Sequence, residues 1–267
     1  MNIKIYALRN DTLPGRTLAY LFYYPRKKSC YIEIPYDITE WELPCVLDHF
    51  VRQGVYTVDS RWTLEFIRGR IVPPDRQNLG LILREAGLKE YDEFALFKIS
   101  DGRCAQDDCY IREITESDIP EEISVRRRHS ITTATRYGTD ILCTLGNGNV
   151  VIIDLQRVCA DSSWPERIWA YVQRLTDCTI DCGGNGILIG GDTFVTAQYI
   201  YEHGVRLPVR AELLRKYAFA NILTTSDVTK ELGCSRQNLD DMNRRGVLRP
   251  ECVRATTKLY YSGDMPK

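Results

Sequence analysis

The sequence predicts a multidomain α+β protein, on three observations. Short apolar and aromatic runs recur between turn residues, as in Leu18 to Tyr24, Cys30 to Ile34, Asp140 to Leu145 and Val150 to Leu155. Stretches with helical spacing, such as Asp75 to Ala86 and Trp164 to Leu175, are interspersed with them. The charge is also divided. Residues 206–267 carry 12 Lys and Arg against 7 Asp and Glu, a net of +5, in a chain whose total is −1, which leaves −6 on the first 205 residues. We therefore expect an N-terminal α+β domain over 1–120, a small β-rich α+β domain over 130–205, and a basic C-terminal domain over 206–267. A basic end on an acidic body hints at nucleic acid.

A chain of 267 residues has room for two or three domains. No stretch approaches the roughly 20 apolar residues of a bilayer span. Met1 to Asp11 lacks the apolar segment of a signal peptide and reads as a first strand. The protein is thus expected in the cytoplasm, with no membrane partner. Its ten cysteines are spread over the whole length and are expected to be reduced thiols. The close pairs Cys104/Cys109 and Cys178/Cys182 lack zinc-knuckle spacing, and His49, His129 and His203 are the only histidines. No metal and no cofactor are expected.

In the first domain, LAYLFYY and CYIEI flank Pro25 to Ser29 and read as a hairpin. Asp37 to Gly54 reads as a helix, with Trp41, Val46, Leu47, Phe50 and Val51 near helical spacing, Thr39 as N-cap and Gly54 as stop. Ser60 to Arg70 is a second helix, with Trp62, Phe66 and Ile67 inward. Asp75 caps a third, which closes at Gly87. Phe94 to Ile99 reads as a strand, joined through Asp101-Gly102 to a strand from Cys109 to Ile114. The polar block from Arg70 to Tyr110 admits two readings. Asp92, Asp107 and Asp108 are hard-cation ligands of a metal-dependent nuclease, or the block is a scaffold of caps, turns and Arg–Asp pairs. No spacing matches a metal or phosphate motif, which favours the scaffold, and no catalytic residue is assigned.

Arg126, Arg127 and Arg128 follow the acidic Glu121-Glu122 and read as a solvated connector, with phosphate contact as the alternative. Asp140 to Leu155 is a hairpin turning at Gly146 to Asn149. Trp164 to Leu175 is a helix capped by Ser163. Cys178 to Cys182 and Gly186 to Ile189 are short strands around Gly183-Gly184. That glycine pair lies between strands and outside any GxGxxG or GK[ST] context, so it reads as a turn and not as a phosphate loop. Thr196 to Glu202 is a short helix ended by Gly204. The strand pair DILCTLGNGNVVIIDL and the later GILIGGDTFVTAQYIYEHG resemble a small uncharacterised bacterial domain. The resemblance implies an accessory to helix-turn-helix segments in gene regulation.

The C-terminal domain starts with a connector helix containing ELLRKYAFA. Thr224 or Thr225 then caps a helix from Ser226 to Leu232, with Val228 and Leu232 on one face. Gly233-Cys234-Ser235 is the turn, and Ser235 caps a second helix from Arg236 to Arg245. Leu239 and Met242 pack back, and Gly246 stops the helix. Its polar side suits the major groove, where Arg pairs with guanine edges and Asn or Gln with adenine edges. Ser235, Arg236, Gln237, Asn238 and Asn243 are the candidate groove residues. Arg244, Arg245 and Arg249 are candidate phosphate contacts.

The ordered set Leu223-Thr224, Val228 to Ser235 and Gly246-Val247-Leu248-Arg249-Pro250 resembles the winged helix-turn-helix of the MerR and excisionase type. ECVRATTKLYYSGDM resembles that family's wing, which implies further contacts from Arg254, Lys258 and Tyr260. Asp240 and Asp241 depart from a phosphate-facing helix. They either select against wrong sites or point away. The family's dimerisation helix would follow the wing, so dimerisation is expected from upstream.

Three functions follow in order. The first is a sequence-specific DNA-binding regulator of transcription, antitoxin-like regulators included, whose upstream domains bind a partner, oligomerise or sense. Its partners are double-stranded DNA, a protein at the upstream domains, and a second copy. The second is the metal-dependent nuclease, and the third a protein-interaction module without DNA.

Overall fold

Leu18 to Tyr24 is apolar at successive positions because the strand it forms lies inside a sheet covered on both faces. The computed structural model describes residues 3–156, 178–191, 193–254 and 257–265, with Arg254 described by its backbone only. Cys159, Asp192 and the helix expected over Trp164 to Leu175 lie outside the described residues. The fold is mixed α+β with four antiparallel sheets. The chain divides into two compact units, Met1–Leu207 and Pro208–Lys267.

The first sheet holds β1 (Lys4–Asn10), β2 (Thr17–Tyr24), β3 (Ser29–Glu33), β4 (Thr57–Val58) and β5 (Cys109–Ile114), in the order β4-β3-β2-β1-β5. Alternate side chains point to opposite faces. Tyr6, Leu21 and Ile32 sit in register on one face and join Leu47 and Val51 of α1 (Leu47–Arg52), Phe66 and Ile67 of α2 (Ser60–Arg68) and Phe97. On the other face Ile5, Phe22 and Tyr31 meet Ile119, Ile123 and Cys182.

Several local expectations are corrected. The segment from Asp37 to Gly54 is not one helix. It breaks into a 3-10 turn, Glu40–Glu42, and α1, because Pro44 interrupts it and offers its carbonyl to Leu47 at 3.1 Å. Trp41 is 85% exposed and Trp62 is 47% exposed, so neither serves the core. The third helix, α3 (Leu79–Glu85), is capped at Asn78 and not at Asp75. Phe94 to Ile99 is helical, within α4 (Glu93–Ile99), because Asp92 accepts a hydrogen bond from the Ala95 amide at 2.9 Å and starts a helix. A six-residue apolar run has no period that tells strand from helix. β5 accordingly pairs with β1 (Ile5 opposite Ile114) and not with this segment.

The arginine run is also no solvated connector. It ends α5 (Glu121–Arg128), and its first member is 5% exposed. Arg126 pairs with buried Glu33 at 3.0 Å and donates to the Ile34 carbonyl at 2.6 Å. Arg127 lies 4.3 Å over the Phe22 ring. Only Arg128 stays in solvent, paired with Glu121.

The remainder of this unit begins with β6 (Ile131–Tyr137), β7 (Asp140–Leu145) and β8 (Asn149–Asp154). A three-stranded sheet follows, from β9 (Cys178–Ile180), β10 (Gly186–Ile189) and β11 (Thr193–Thr196), with α6 (Ala197–His203) behind it. β12 (Val205–Arg210) joins β8, giving the order β12-β8-β7-β6. Ile141, Val151, Ile187, Ile189 and Ile200 form the common core. Gly184 in the β9–β10 connection has φ of +78°, and a Cβ there would stand 2.4 Å from the Ile131 carbonyl oxygen, so only glycine fits.

The second unit contains α7 (Ala211–Asn221), β13 (Ile222–Thr224), α8 (Thr225–Glu231), α9 (Arg236–Arg245), β14 (Cys252–Arg254) and β15 (Thr257–Tyr261). Its sheet runs β13-β15-β14. Val228, Leu239, Leu248 and Tyr260 are its buried cluster among the described residues. So small a core has little reserve. Leu239→Ala is expected to cost about 2–5 kcal/mol, enough to unfold this unit alone. Amide hydrogen exchange across 222–261 should then lose protection while β1–β5 keep theirs. Among the described residues no helix is long and apolar enough to cross a membrane.

Candidate nucleic-acid interface

Local side-chain chemistry sets the two helices of the second unit. Thr224 and Asp227 form a reciprocal cap on α8. The Thr224 amide donates to Asp227 Oδ2 at 2.9 Å, and Thr224 Oγ1 accepts from the Asp227 amide at 3.3 Å. The Thr224 hydroxyl, which donates to Asp227 Oδ2 at 2.7 Å, and then the Thr224 amide hold the Asp227 carboxyl below its ordinary value. Gly233, with φ of +61°, turns the chain. Ser235 Oγ then accepts from the Asn238 amide at 3.2 Å and starts α9. Gly246 ends α9 in the left-handed conformation, and the Val247 amide returns to the Met242 carbonyl at 3.0 Å.

At about 100° per residue, α9 divides cleanly around its buried Leu239. Leu239, Met242 and Asn243 share the inner side. Gln237, Asp241 and Arg244 lie opposite. Arg236 and Asp240 form one flank, and Asn238 and Arg245 the other. Burial agrees: Leu239 is 1% exposed, while Arg236, Gln237, Asn238, Arg244 and Arg245 are all exposed.

Two of the residues expected at the surface turn inward. Tyr260 is 1% exposed, and its hydroxyl accepts from Asn243 Nδ2 at 2.9 Å. These two hold α9 on β15. The alternation along KLYY was the available signal, since it puts Tyr260 on the same face as Lys258, the face that meets α9. Lys258 is tied as well, with its Nζ 2.6 Å from Asp240 Oδ1. That bond lowers the Asp240 pKa and raises that of Lys258. Asp241 pairs with Arg244 at 3.0 Å. Each acid on α9 thus has a cation of its own. Asp240, Asn243, Arg244, Pro250 and Lys258 line a shallow depression of about 500 Å³. Arg249 lies against Gly246. Arg254 pairs with Thr257 through the backbone register of β14 and β15.

The three carboxylates of the alternative metal site do not converge. Asp92 caps α4 and meets Lys28 at 3.4 Å. Asp107 pairs with Arg70 and accepts from the Cys109 amide at 2.9 Å. Asp108 offers its backbone carbonyl to Asp11 at 3.2 Å. Among the described residues no group of three His, Cys, Asp or Glu side chains is placed to hold a metal ion. The nine described cysteines are free thiols.

Sequence reasoning missed the buried Glu33–Arg126 pair. Glu33 stands between Ile32 and Ile34 in the sequence, a charge in an apolar strand, which was the signal. Burial raises its pKa from 4.5 to about 7, although Arg126 and the Thr57 hydroxyl pull the other way. The folded protein therefore holds this proton to higher pH than the unfolded chain does. The Glu33 contribution to stability is undiminished below pH 4.5, falls as pH rises from there to about 7, and is level above. Urea unfolding of wild type and Glu33→Gln over this window should show a pH-dependent difference with that sign.

Comparison with protein-family models, curated proteins and solved structures returns no match for this chain.

Proposed function

We propose that this chain is a sequence-specific DNA-binding protein, a transcriptional regulator whose second unit is a winged helix-turn-helix of the MerR and excisionase type. The observation that carries this reading is the outward surface of α9. A helix cored by one fully buried Leu239 exposes Gln237 and Arg244 on the side opposite it, Arg236 on one flank, and Asn238 and Arg245 on the other. Those side chains match the donors and acceptors of base edges and phosphates. Ser235 caps the groove-entering end, Arg249 supplies positive charge at the helix exit, and Arg254 and Lys258 lie on the strand pair, Lys258 paired with Asp240. Asn243 and Tyr260 are positioning residues in this account and touch no DNA. The first unit binds a partner or effector or joins copies of the chain.

A gel shift of the full chain against duplex DNA from upstream of its own coding region tests the reading. A retarded band is expected, weakening steeply with salt. Binding unchanged in both Arg236→Ala and Arg244→Ala would remove α9 as the recognition helix.

A further inference from the structure

The first unit contains a cavity of about 420 Å³, within the size range of small-molecule sites. Tyr24 at the end of β2, Tyr31 of β3, Lys27 in the turn between these strands, Arg127 of α5 and Gly183 of the β9–β10 connection all line it. No residue of the second unit does.

The donors on this wall converge. Tyr24 and Tyr31 are buried, with rings near-parallel and centroids 6.3 Å apart. A Cβ on Gly183 would stand 2.3 Å from the Tyr24 hydroxyl oxygen and 2.9 Å from the Tyr31 ring, so only glycine lets the connection pass this close to both phenols. Both hydroxyls remain open to solvent. Burial raises the pKa of each, so both keep their protons at neutral pH and can donate. Arg127 lies 4.3 Å over the Phe22 ring, which itself stacks on Tyr31 at 5.0 Å, and this holds its guanidinium beside the two phenols. Its Nη1 donates to Glu116 at 3.0 Å, a carboxylate 78% exposed to water.

The acids on the wall already have donors. Glu33 is held by Arg126 and by the Thr57 hydroxyl. Asp181 is held by the Ser60 amide at 2.9 Å and by the Ser60 hydroxyl. Arg126 is committed to Glu33 and to the carbonyls of Ile34 and Tyr56. Lys27 is exposed and has no ion-pair partner among the described residues. Lys27, Arg127 and the two phenols are thus the groups left to meet a ligand. Four donors, two of them cationic, suit an oxyanion. They exceed what the two oxygens of a carboxylate use and fit the three of a phosphoryl group. A cavity of this size also holds more than the phosphoryl group alone.

We infer that this cavity binds a small phosphate monoester, whose phosphoryl oxygens accept from the Tyr24 and Tyr31 hydroxyls, Arg127 and Lys27. The site stands on the first unit alone, so it holds or fails separately from the DNA-binding proposal.

Isothermal titration of the full chain at fixed ionic strength, without DNA, tests it with glycerol 3-phosphate and inorganic phosphate as probes. Glycerol and succinate form the control arms. Saturable binding of glycerol 3-phosphate at one site per chain is expected, with inorganic phosphate competing for it. Tyr24→Phe keeps the ring and removes one donor to a charged group, which should weaken binding roughly 10- to 150-fold at an unchanged melting temperature. Lys27→Ala, at an exposed position, should weaken it about 2- to 5-fold. Lys28→Ala, next in the chain but outside the cavity and paired with Asp92 at 3.4 Å, should bind like wild type. The inference is overturned if neither phosphate probe binds saturably up to about 1 mM. It is equally overturned if succinate binds as tightly as the phosphates, if Tyr24→Phe binds like wild type, or if Lys28→Ala loses as much as Lys27→Ala.

Discussion

Arg236→Ala is expected to weaken binding to the specific DNA site by about 1–3 kcal/mol, roughly 5- to 150-fold, and to relax the base preference at one position. Arg236 sits at the first turn of α9, on the flank shared with Asp240, and is exposed to solvent. Loss of its side chain removes nothing from the core, so the melting temperature should hold. Arg249→Ala should behave differently. On the proposed reading it removes a phosphate contact at the helix exit, which should weaken all duplexes alike and lower the salt slope by about one. Fluorescence anisotropy on matched and scrambled duplexes over a salt series separates the two effects. If both variants weaken both duplexes equally, α9 touches only the backbone of DNA.

The largest effect on stability is expected at Arg126. Its side chain is 4% exposed, pairs with Glu33, which is 3% exposed, and donates to the backbone carbonyls of Ile34 and Tyr56. Arg126→Ala leaves a buried carboxylate and two carbonyls without their donor. A cost of about 3–5 kcal/mol follows, since one partner of a buried pair is stranded. Two residues along, Arg128 pairs with Glu121 in solvent, where Arg128→Ala should cost no more than about 1 kcal/mol. Urea unfolding of the two variants checks the contrast. Replacing the pair together, as Glu33→Leu with Arg126→Met, should recover much of the loss, because desolvation of both charges is then avoided.

The contrast between Arg126 and Arg128 also shows what the sequence leaves out. A run of three arginines reads as solvent because each residue alone prefers it. Which one is buried depends on the face of α5 that meets Phe22 and Glu33, and those residues come from strands far back in the chain. The helices of the second unit were legible for the opposite reason. Their caps, Thr224 and Ser235, and their stop, Gly246, act on immediate neighbours, so the local sequence contains the whole cause. Asn243 and Tyr260 were misplaced because their partnership crosses from helix to strand. The same distinction explains Phe94 to Ile99. The run is apolar in either conformation, and only Asp92, a residue outside it, decides for helix.

The central claim is that α9 reads DNA sequence. Its most direct test is to enrich a duplex from a random-sequence pool with the full chain, then compete it against a scrambled duplex at fixed salt. The account predicts a preference of about 10³-fold or more that collapses in Arg236→Ala. Equal affinity for the two duplexes, or no binding at about 50 mM salt, would contradict it.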